Sequence, residues 1–316
     1  MYDVVALGEL LIDFACISQD SEGYPTMAAH PGGAPANFLA AVTKFGGKTA
    51  LIAKLGNDSF GKRLTDTLLR SGIDTKGLVY SDEVFTTLAF VSFDACGERE
   101  FSFARKPGAD TRLCFDEIDL SLIDEARVFH FGTLSLTDEP AREATRRAVE
   151  YAKARGKLIS FDPNLRKPLW KSLDDAKAQM LWGLENAEIV KISNDEVEFL
   201  FGLAPEEAAR HILDSFSAKL VYISCGAEGC VYANANTLGF VPALRGLHVI
   251  DTCGAGDIFG GSAMWKLMQT GTSPESLSDE QLKDIVGFAC AAAGLSTEKS
   301  GGISSIPNVA DVLQKL

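Results

Sequence analysis

The chain has 316 residues, 46% of them hydrophobic, and a formal net charge of −13, enough for one large domain with a substantial core. The acidic balance and the lack of any basic run argue against nucleic acid as a partner, since phosphate backbones are held by clustered Lys and Arg. Seven widely spaced cysteines (Cys16, Cys96, Cys114, Cys225, Cys230, Cys253, Cys290) include no C-x-x-C pair, so they read as reduced thiols of a cytoplasmic protein rather than zinc ligands.

The N-terminus enters a strand pattern at once, Val4 to Ile12, ending at Asp13. It has no positive n-region or cleavage site, so no signal peptide is expected, and no apolar run reaches the about 18 residues of a membrane span. A carboxylate at such a strand end can accept hydrogen bonds from vicinal hydroxyls, although a turn residue has the same pattern. Phe14 to Ala29 contains no good helix. Gly32-Gly33-Ala34-Pro35-Ala36-Asn37 then leads into a helix running to about Phe45, with Pro35 suited to its first turn and Gly46-Gly47 to its stop. Asn37, one turn in, can offer an amide to a polyol. Gly46-Gly47-Lys48-Thr49 only mimics a P-loop, because position 42 is Val.

Val84 to Phe93 is rich in β-branched and aromatic residues, Asp94 to Glu98 is turn-like, and Arg99 to Arg105 alternates. This is a β-hairpin pattern. Together with the helix-poor segment after Asp13 it predicts a small β flap, from about residues 14–32 and 84–106, set into a single domain spanning 1–316.

The second half reads as strand–helix units. Strands are expected at 127–132, 157–162, 188–193 and 219–224, and helices at 139–154, 173–184 and 205–216. Such alternation predicts a mostly parallel sheet covered by helices. Ligands of open α/β sheets bind outside the carboxyl ends of the strands. Gly132-Thr133, Asp162-Pro163-Asn164, Ser193-Asn194, Cys225-Gly226 and Asp251-Thr252 collect there.

Near the end, Gly246 to Ile250 reads as a short strand and Ile258 to Gln269 as a helix, with Asp251-Thr252-Cys253-Gly254-Ala255-Gly256-Asp257 between them. A helix N-terminus exposes backbone N–H groups and a positive dipole end, and glycines let an anion approach closely. Asp257 would repel a phosphate, so it reads as a base acting on the group that attacks the phosphate. Gly254-Ala255-Gly256 does not continue into a dinucleotide fingerprint, because position 259 is Phe.

Gly32-Gly33-x-x-x-Asn37 and Asp251-Thr252-x-Gly254-Ala255-Gly256-Asp257 together resemble the two signatures of the PfkB (ribokinase-like) carbohydrate kinases. Gly97 to Phe101, Phe103 to Asp110, Phe129 to Leu136, Asp162-Pro163-Asn164-Leu165-Arg166 and Pro168-Leu169-Trp170 are similar to the fructokinases of that family, in register along essentially the whole chain.

The resemblance implies a ribokinase-like α/β fold, with a Rossmann-like, mostly parallel central sheet flanked by helices and a small β-sheet lid. It implies an ATP-dependent sugar kinase, in the first place one that phosphorylates D-fructose at the 6-hydroxyl. A 2-keto-3-deoxygluconate kinase or another PfkB sugar kinase is the alternative, and a non-catalytic sugar sensor a more distant one. Asp257 would be the general base, and the N–H groups of Gly254, Ala255 and Gly256 the anion hole. Asp13, Gly32, Gly33 and Asn37 would hold the sugar. Arg105 would reach in from the flap, and Arg166 would lie near the transferred phosphate or the sugar. Gly226 and Gly229 would belong to the nucleotide wall, with Cys290 near the adenine. The Asn-x-x-Glu motif falls on Ser193 and Glu196, so Glu196 would meet Mg²⁺ through water. Asp251 and the loop around Gly301 to Ser305 would hold a monovalent cation such as K⁺. Aromatic residues of the flap (Phe85, Phe90, Phe93, Phe101, Phe103) suggest a homodimer formed through the lid.

Overall fold

The computed structural model describes residues 1–93 and 99–316; the expected turn at Asp94 to Glu98 lies outside the described residues. Strand β1 (Tyr2–Leu7) is followed by β2 (Leu11–Gln19), β3 (Pro25–Gly32), α1 (Ala34–Lys44), β4 (Thr49–Gly56), α2 (Ser59–Arg70) and β5 (Leu78–Ser81). Next come β6 (Leu88–Phe93), β7 (Arg99–Ala104), α3 (Leu120–Asp124), β8 (Ala126–Gly132), α4 (Ala141–Ala154) and β9 (Leu158–Asp162). The chain continues through α5 (Leu173–Asn186), β10 (Ile189–Ser193), α6 (Asn194–Phe201), α7 (Pro205–Ser215), β11 (Leu220–Ser224), β12 (Gly229–Asn234) and β13 (Leu238–Pro242). It ends with α8 (Ala255–Thr270), α9 (Asp279–Ser296) and α10 (Val309–Leu313).

The strands form two sheets. The large one has the order β13-β12-β11-β10-β9-β8-β1-β4-β5, and the small one β3-β2-β6-β7. In the large sheet β11, β10, β9, β8, β1, β4 and β5 run parallel, and an antiparallel hairpin, β12–β13, closes one edge. Alternation assigns side chains to two separate cores. Val4 and Ala6 of β1 face Phe38, Leu39, Ile258 and Phe288, on the side of α1, α8 and α9. Val5 and Leu7 face Phe129, Phe131, Phe161 and Ala148, on the side of α4 and α5. Both faces are covered, as parallel strands require. No helix among the described residues is long and apolar enough to cross a membrane.

Two expectations need correction. Val4 to Ile12 is not one strand: β1 stops at Leu7, the chain turns through Gly8-Glu9-Leu10, and Leu11 begins a strand of the other sheet. Asp13 therefore lies inside β2, paired with His30 of β3 and Ala89 of β6, rather than at a strand end. Gly246 to Ile250 is irregular, with no strand beside it. Its apolar residues Val249 and Ile250 are exposed, and the N–H groups of Ile250 and Asp251 both donate to the Thr297 carbonyl, at 2.8 and 3.0 Å.

Candidate active site

The C-terminal ends of the parallel strands, the start of α8 and the rim of the small sheet meet in one cleft. Gly254 caps α8 in the left-handed conformation, φ 76°, which a side-chain-bearing residue adopts only with strain. The first bond inside the helix runs from Ile258 N–H to Gly254 O, at 2.8 Å. The N–H groups before it have no intrahelical acceptors, which leaves them available to an anion. Ala255 is an exception among the three groups expected to form the hole: its N–H turns back to the Thr252 carbonyl at 3.3 Å.

Asp257 stands in the first turn of α8, buried, and its Oδ2 accepts a hydrogen bond from Asn37 Nδ2 at 2.9 Å. Burial raises the Asp257 carboxyl above the ordinary carboxylate range, while Asn37, then Lys191 and Arg166, draw it back. Among the described residues Asn37 Oδ1 is buried without a hydrogen-bond partner, so one acceptor is left for a bound hydroxyl. The local sequence explains how two helices come this close. A Cβ on Gly261 would enter the carbonyl oxygen of Phe38, and one on Gly302 would enter the Asn37 amide.

Asp13 faces the same space from the small sheet. Burial pushes its carboxyl up to about 6 against the pull of Arg166. Gly32 makes room for it, since a Cβ there would overlap the Asp13 carboxylate. Gly33 has φ 114°, and a side chain would run into the Glu9 carbonyl. Arg166 follows β9, half-buried, with Nη1 donating to the Leu165 carbonyl at 3.3 Å, and it is near enough to lower both Asp13 and Asp257.

Arg105 differs from expectation. It is buried at the root of the small sheet rather than extended into the cleft. Its Nε donates to Asp110 Oδ2 at 2.8 Å, Nη1 to Thr137 Oγ1 at 2.8 Å and Nη2 to the Leu134 carbonyl at 2.8 Å. Asp110 and Arg105 form an ion pair with each side chain only 2% exposed. A guanidinium so matched anchors β7 to the body of the protein.

Glu196 belongs to a capping box at the start of α6. Its Oε2 accepts from Ser193 N–H at 2.8 Å and its Oε1 from Leu165 N–H at 2.7 Å. Each carboxylate oxygen keeps a second acceptor direction, which suits a metal-bound water better than direct ligation. Among the described residues no group of three or more His, Cys, Asp or Glu side chains is placed to hold a metal. Mg²⁺ is commonly held by one or two carboxylates, waters and substrate phosphates, so Glu196 is compatible with that mode. Asp251 ties the anion turn to the C-terminal loop: Oδ1 accepts from Cys253 N–H at 2.9 Å, and Oδ2 from Gly301 N–H at 3.0 Å and Ser300 Oγ at 3.2 Å. Its carboxylate and the Ser300 hydroxyl are oxygen donors of the kind a monovalent cation takes. Gly226 lies in the turn after β11, and Gly229 begins β12. Cys290 is buried on α9.

Several groups of the cleft were not among the expected site residues. Glu9 lines it, buried, with Oε1 accepting the first N–H of α1 from Ala34 at 2.7 Å, and burial pushes it to about 7. Asp162 pairs with Lys191 Nζ at 2.9 Å, and its Oδ1 has no partner. His130 stacks on Phe38 with ring centroids 3.9 Å apart and is neutral, pushed down to about 3 by burial and then by Lys191. The available signal was a charged residue inside an apolar run: Glu9 within Val4 to Ile12, and Lys191 between Val190 and Ile192.

Similarity to known proteins runs the length of this architecture. Fructokinase-1 of Zea mays is 42% identical over 315 residues, covering 98% of this chain and 96% of that protein. The crystal structure of a fructokinase with bound ATP from Xylella fastidiosa superimposes with a TM-score of 0.90 at 30% identity, covering 99% of this chain and 98% of the other. A Vibrio cholerae fructokinase double mutant in its fructose, ADP and potassium ion bound form gives a TM-score of 0.88 at 29% identity, covering 100% and 98%. Residues 1–309 match the family described as pfkB family carbohydrate kinase. On the family match over residues 1–309 and the full-length similarity to a fructokinase, the chain belongs to the pfkB family of carbohydrate kinases.

Proposed function

We propose that this protein is an ATP-dependent fructokinase that phosphorylates D-fructose at the 6-hydroxyl to give fructose 6-phosphate. The observation that carries the chemistry is the Asn37–Asp257 contact, which holds a buried carboxylate in the first turn of the helix whose N-terminus can take phosphate charge. The choice of sugar is supported by the fructokinase relatives.

Phosphoryl transfer proceeds through a loose transition state, so positioning and charge stabilisation dominate. Asp13, Gly33 and Asn37 border the sugar space. Asp257 accepts the proton of the primary hydroxyl as that oxygen takes the γ-phosphoryl group, and the bond to the β-phosphate oxygen breaks. General-base assistance of this kind contributes about 10² to 10⁴-fold. N–H groups at the start of α8 and the Arg166 guanidinium meet the charge on the phosphoryl oxygens. Mg²⁺, when bound with the nucleotide, supplies further charge neutralisation, with Glu196 as the residue that would hold its water. Asp251 and the 300–302 loop would hold a monovalent cation, and the turn at Gly226 and Gly229 would border the nucleotide.

The small sheet acts as a lid that keeps water from competing as acceptor. Ile17 and Tyr24 on its outer end are 64% and 66% exposed, and they suit a second copy of this chain in a cytoplasmic homodimer. A 2-keto-3-deoxygluconate kinase would need a second cation beside the substrate carboxylate. Arg105, committed to Asp110, is poorly placed to be that cation.

A coupled assay with ATP and fructose, 2-keto-3-deoxygluconate, ribose or no sugar tests the proposal. ADP production that depends on fructose, with fructose 6-phosphate as product, is the expected result. Faster turnover of the sugar acid would overturn the substrate assignment, and sugar-independent ADP release would overturn the transferase reading.

A further inference from the structure

Lys191 lies at the centre of the charged groups of the cleft, on a strand that is otherwise apolar. Its neighbours Val190 and Ile192 point into the core beside α4 and α5. Alternation turns Lys191 to the opposite face, towards α1 and α8. Its Nζ is paired with Asp162 Oδ2 at 2.9 Å, and the side chain is 12% exposed. The same Nζ is 3.0 Å from the point a Cβ would occupy on Gly256, in the first turn of α8. A larger residue at position 256 would push against the ammonium.

Asp162 of β9 contacts this ammonium, and Glu196 of α6 and Asp257 of α8 act on it electrostatically. Arg166 is the other cation acting on Asp257, Asn37 of α1 donates to it, and Asp13 of β2 senses it, as it also senses Asp251. The neutral imidazole of His130, on β8, adds no charge. Burying an ammonium is costly, and an apolar side chain of similar length would serve packing on β10 as well or better. The fold by itself therefore gives no reason for a lysine here.

We propose that Lys191 is a positioning residue for phosphoryl transfer: its ammonium braces the first turn of α8 against Asp162 and balances the negative charge gathered around Asp257. The proposal rests on the kinase reading above. Asp13, Asp162, Glu196 and Asp257 gather negative charge where an anionic nucleotide must arrive, and Arg166 by itself would leave that charge in excess. Burial by itself would pull Lys191 down, yet Asp162, Glu196 and Asp257 hold it protonated above the ordinary lysine value. In return, Lys191 helps Asp257 stay ionised in a buried place.

The test compares four proteins: wild type, Lys191→Met, Asp162→Asn and the double variant. Steady-state kinetics on fructose and ATP are recorded from pH 5.5 to 9, with thermal melts as a folding control. Lys191→Met should lower kcat about 30-fold or more at pH 7, leave both KM values within about threefold, and move the acid limb of the kcat profile up by about one pH unit. Lys191→Met leaves Asp162 buried without its partner and can fail to fold. The double variant removes both charges together, so it keeps the comparison alive. If Lys191 acts on Asp257, the double variant stays at least about tenfold slower than Asp162→Asn and keeps the displaced acid limb. If it equals Asp162→Asn in rate and pH profile, Lys191 serves only Asp162 and the proposal is wrong. An inactive wild type would instead overturn the kinase reading, which makes the two failures distinguishable.

Discussion

Asn37 Nδ2 donates to Asp257 Oδ2 across 2.9 Å, joining the first turns of two helices whose contacting residues are 220 positions apart in the chain. In the proposed mechanism this one bond couples a residue bordering the sugar space to the base, so that an acceptor hydroxyl seated on Asn37 would already lie beside the group that takes its proton.

Replacing the base isolates its contribution. Asp257→Asn preserves shape and should bind fructose within a few-fold of wild type, while kcat falls about 10² to 10⁴-fold. Calorimetry for binding and a coupled assay for turnover check both halves. A kcat within a few-fold of wild type would falsify the base assignment.

Asn37→Leu removes the hydrogen bond that favours the ionised form of Asp257. The carboxyl already lies above its ordinary value because of burial, and losing this donor raises it further. Activity that needs the ionised base is lost as pH falls, so the acid limb should shift upward. The rate deficit should be several-fold larger at pH 6 than at pH 8.5. Equal deficits at the two pH values would separate Asn37 from the titration of the base.

Asp13→Asn should trade affinity for stability. The folded protein holds the Asp13 carboxyl at about 6 against an ordinary 3.8, so it binds that proton more tightly than the unfolded chain does. The stabilisation tied to the proton is complete below the unfolded value and is lost as pH rises through the folded one, amounting to about 3 kcal/mol. The amide escapes this loss. The variant should melt above wild type at pH 8, with a smaller difference at pH 5, while KM for the sugar rises tenfold or more. A pH-independent difference in melting would contradict this account.

Arg105→Gln should first damage the fold. It leaves Asp110 buried and unpaired, at a cost of about 3–5 kcal/mol. Adding Asp110→Asn should recover much of that loss. Urea titrations of the single and double variants measure it. A stable single variant with only a raised sugar KM would return Arg105 to the role the sequence suggested.

Gly261→Val would drive a side chain into the carbonyl oxygen of Phe38 and part α8 from α1. A loss of about 1–3 kcal/mol is expected from overpacking. Among molecules that remain folded, kcat should fall with little change in KM for ATP, because Asn37 and Asp257 no longer meet. Unchanged turnover would show that their contact tolerates the separation.

The alternation of strands and helices from Arg127 onward was legible because parallel strands and their covering helices have distinct periods, and β8, β9, β10 and β11 begin within a residue of the expected places. Asp257 was legible because a carboxylate in a glycine-rich helix start conflicts with phosphate binding and so suggests a separate task. The break at Gly8-Glu9-Leu10 was not, since apolar residues continue on both sides while the strands go to different sheets. Gly246 to Ile250 misled for the opposite reason: its apolar residues are exposed beside a loop. Arg105 was placed in the cleft and Lys191 was passed over. Sequence shows that each is cationic, but only packing shows that Asp110 encloses one and that the other pairs with Asp162.

Asp257, Lys191, Asp162 and Glu196 belong to the body built on the large sheet, whereas Asp13 and Gly32 stand on the small one. In the proposed mechanism the groups that move phosphate and part of the surface that meets the acceptor are therefore carried on separate sheets. On that reading, substitutions in β2 and β3 alter the acceptor side of the cleft without touching the elements that carry Asp257, Lys191, Asp162 and Glu196. In this architecture, a change of diet is a change of lid.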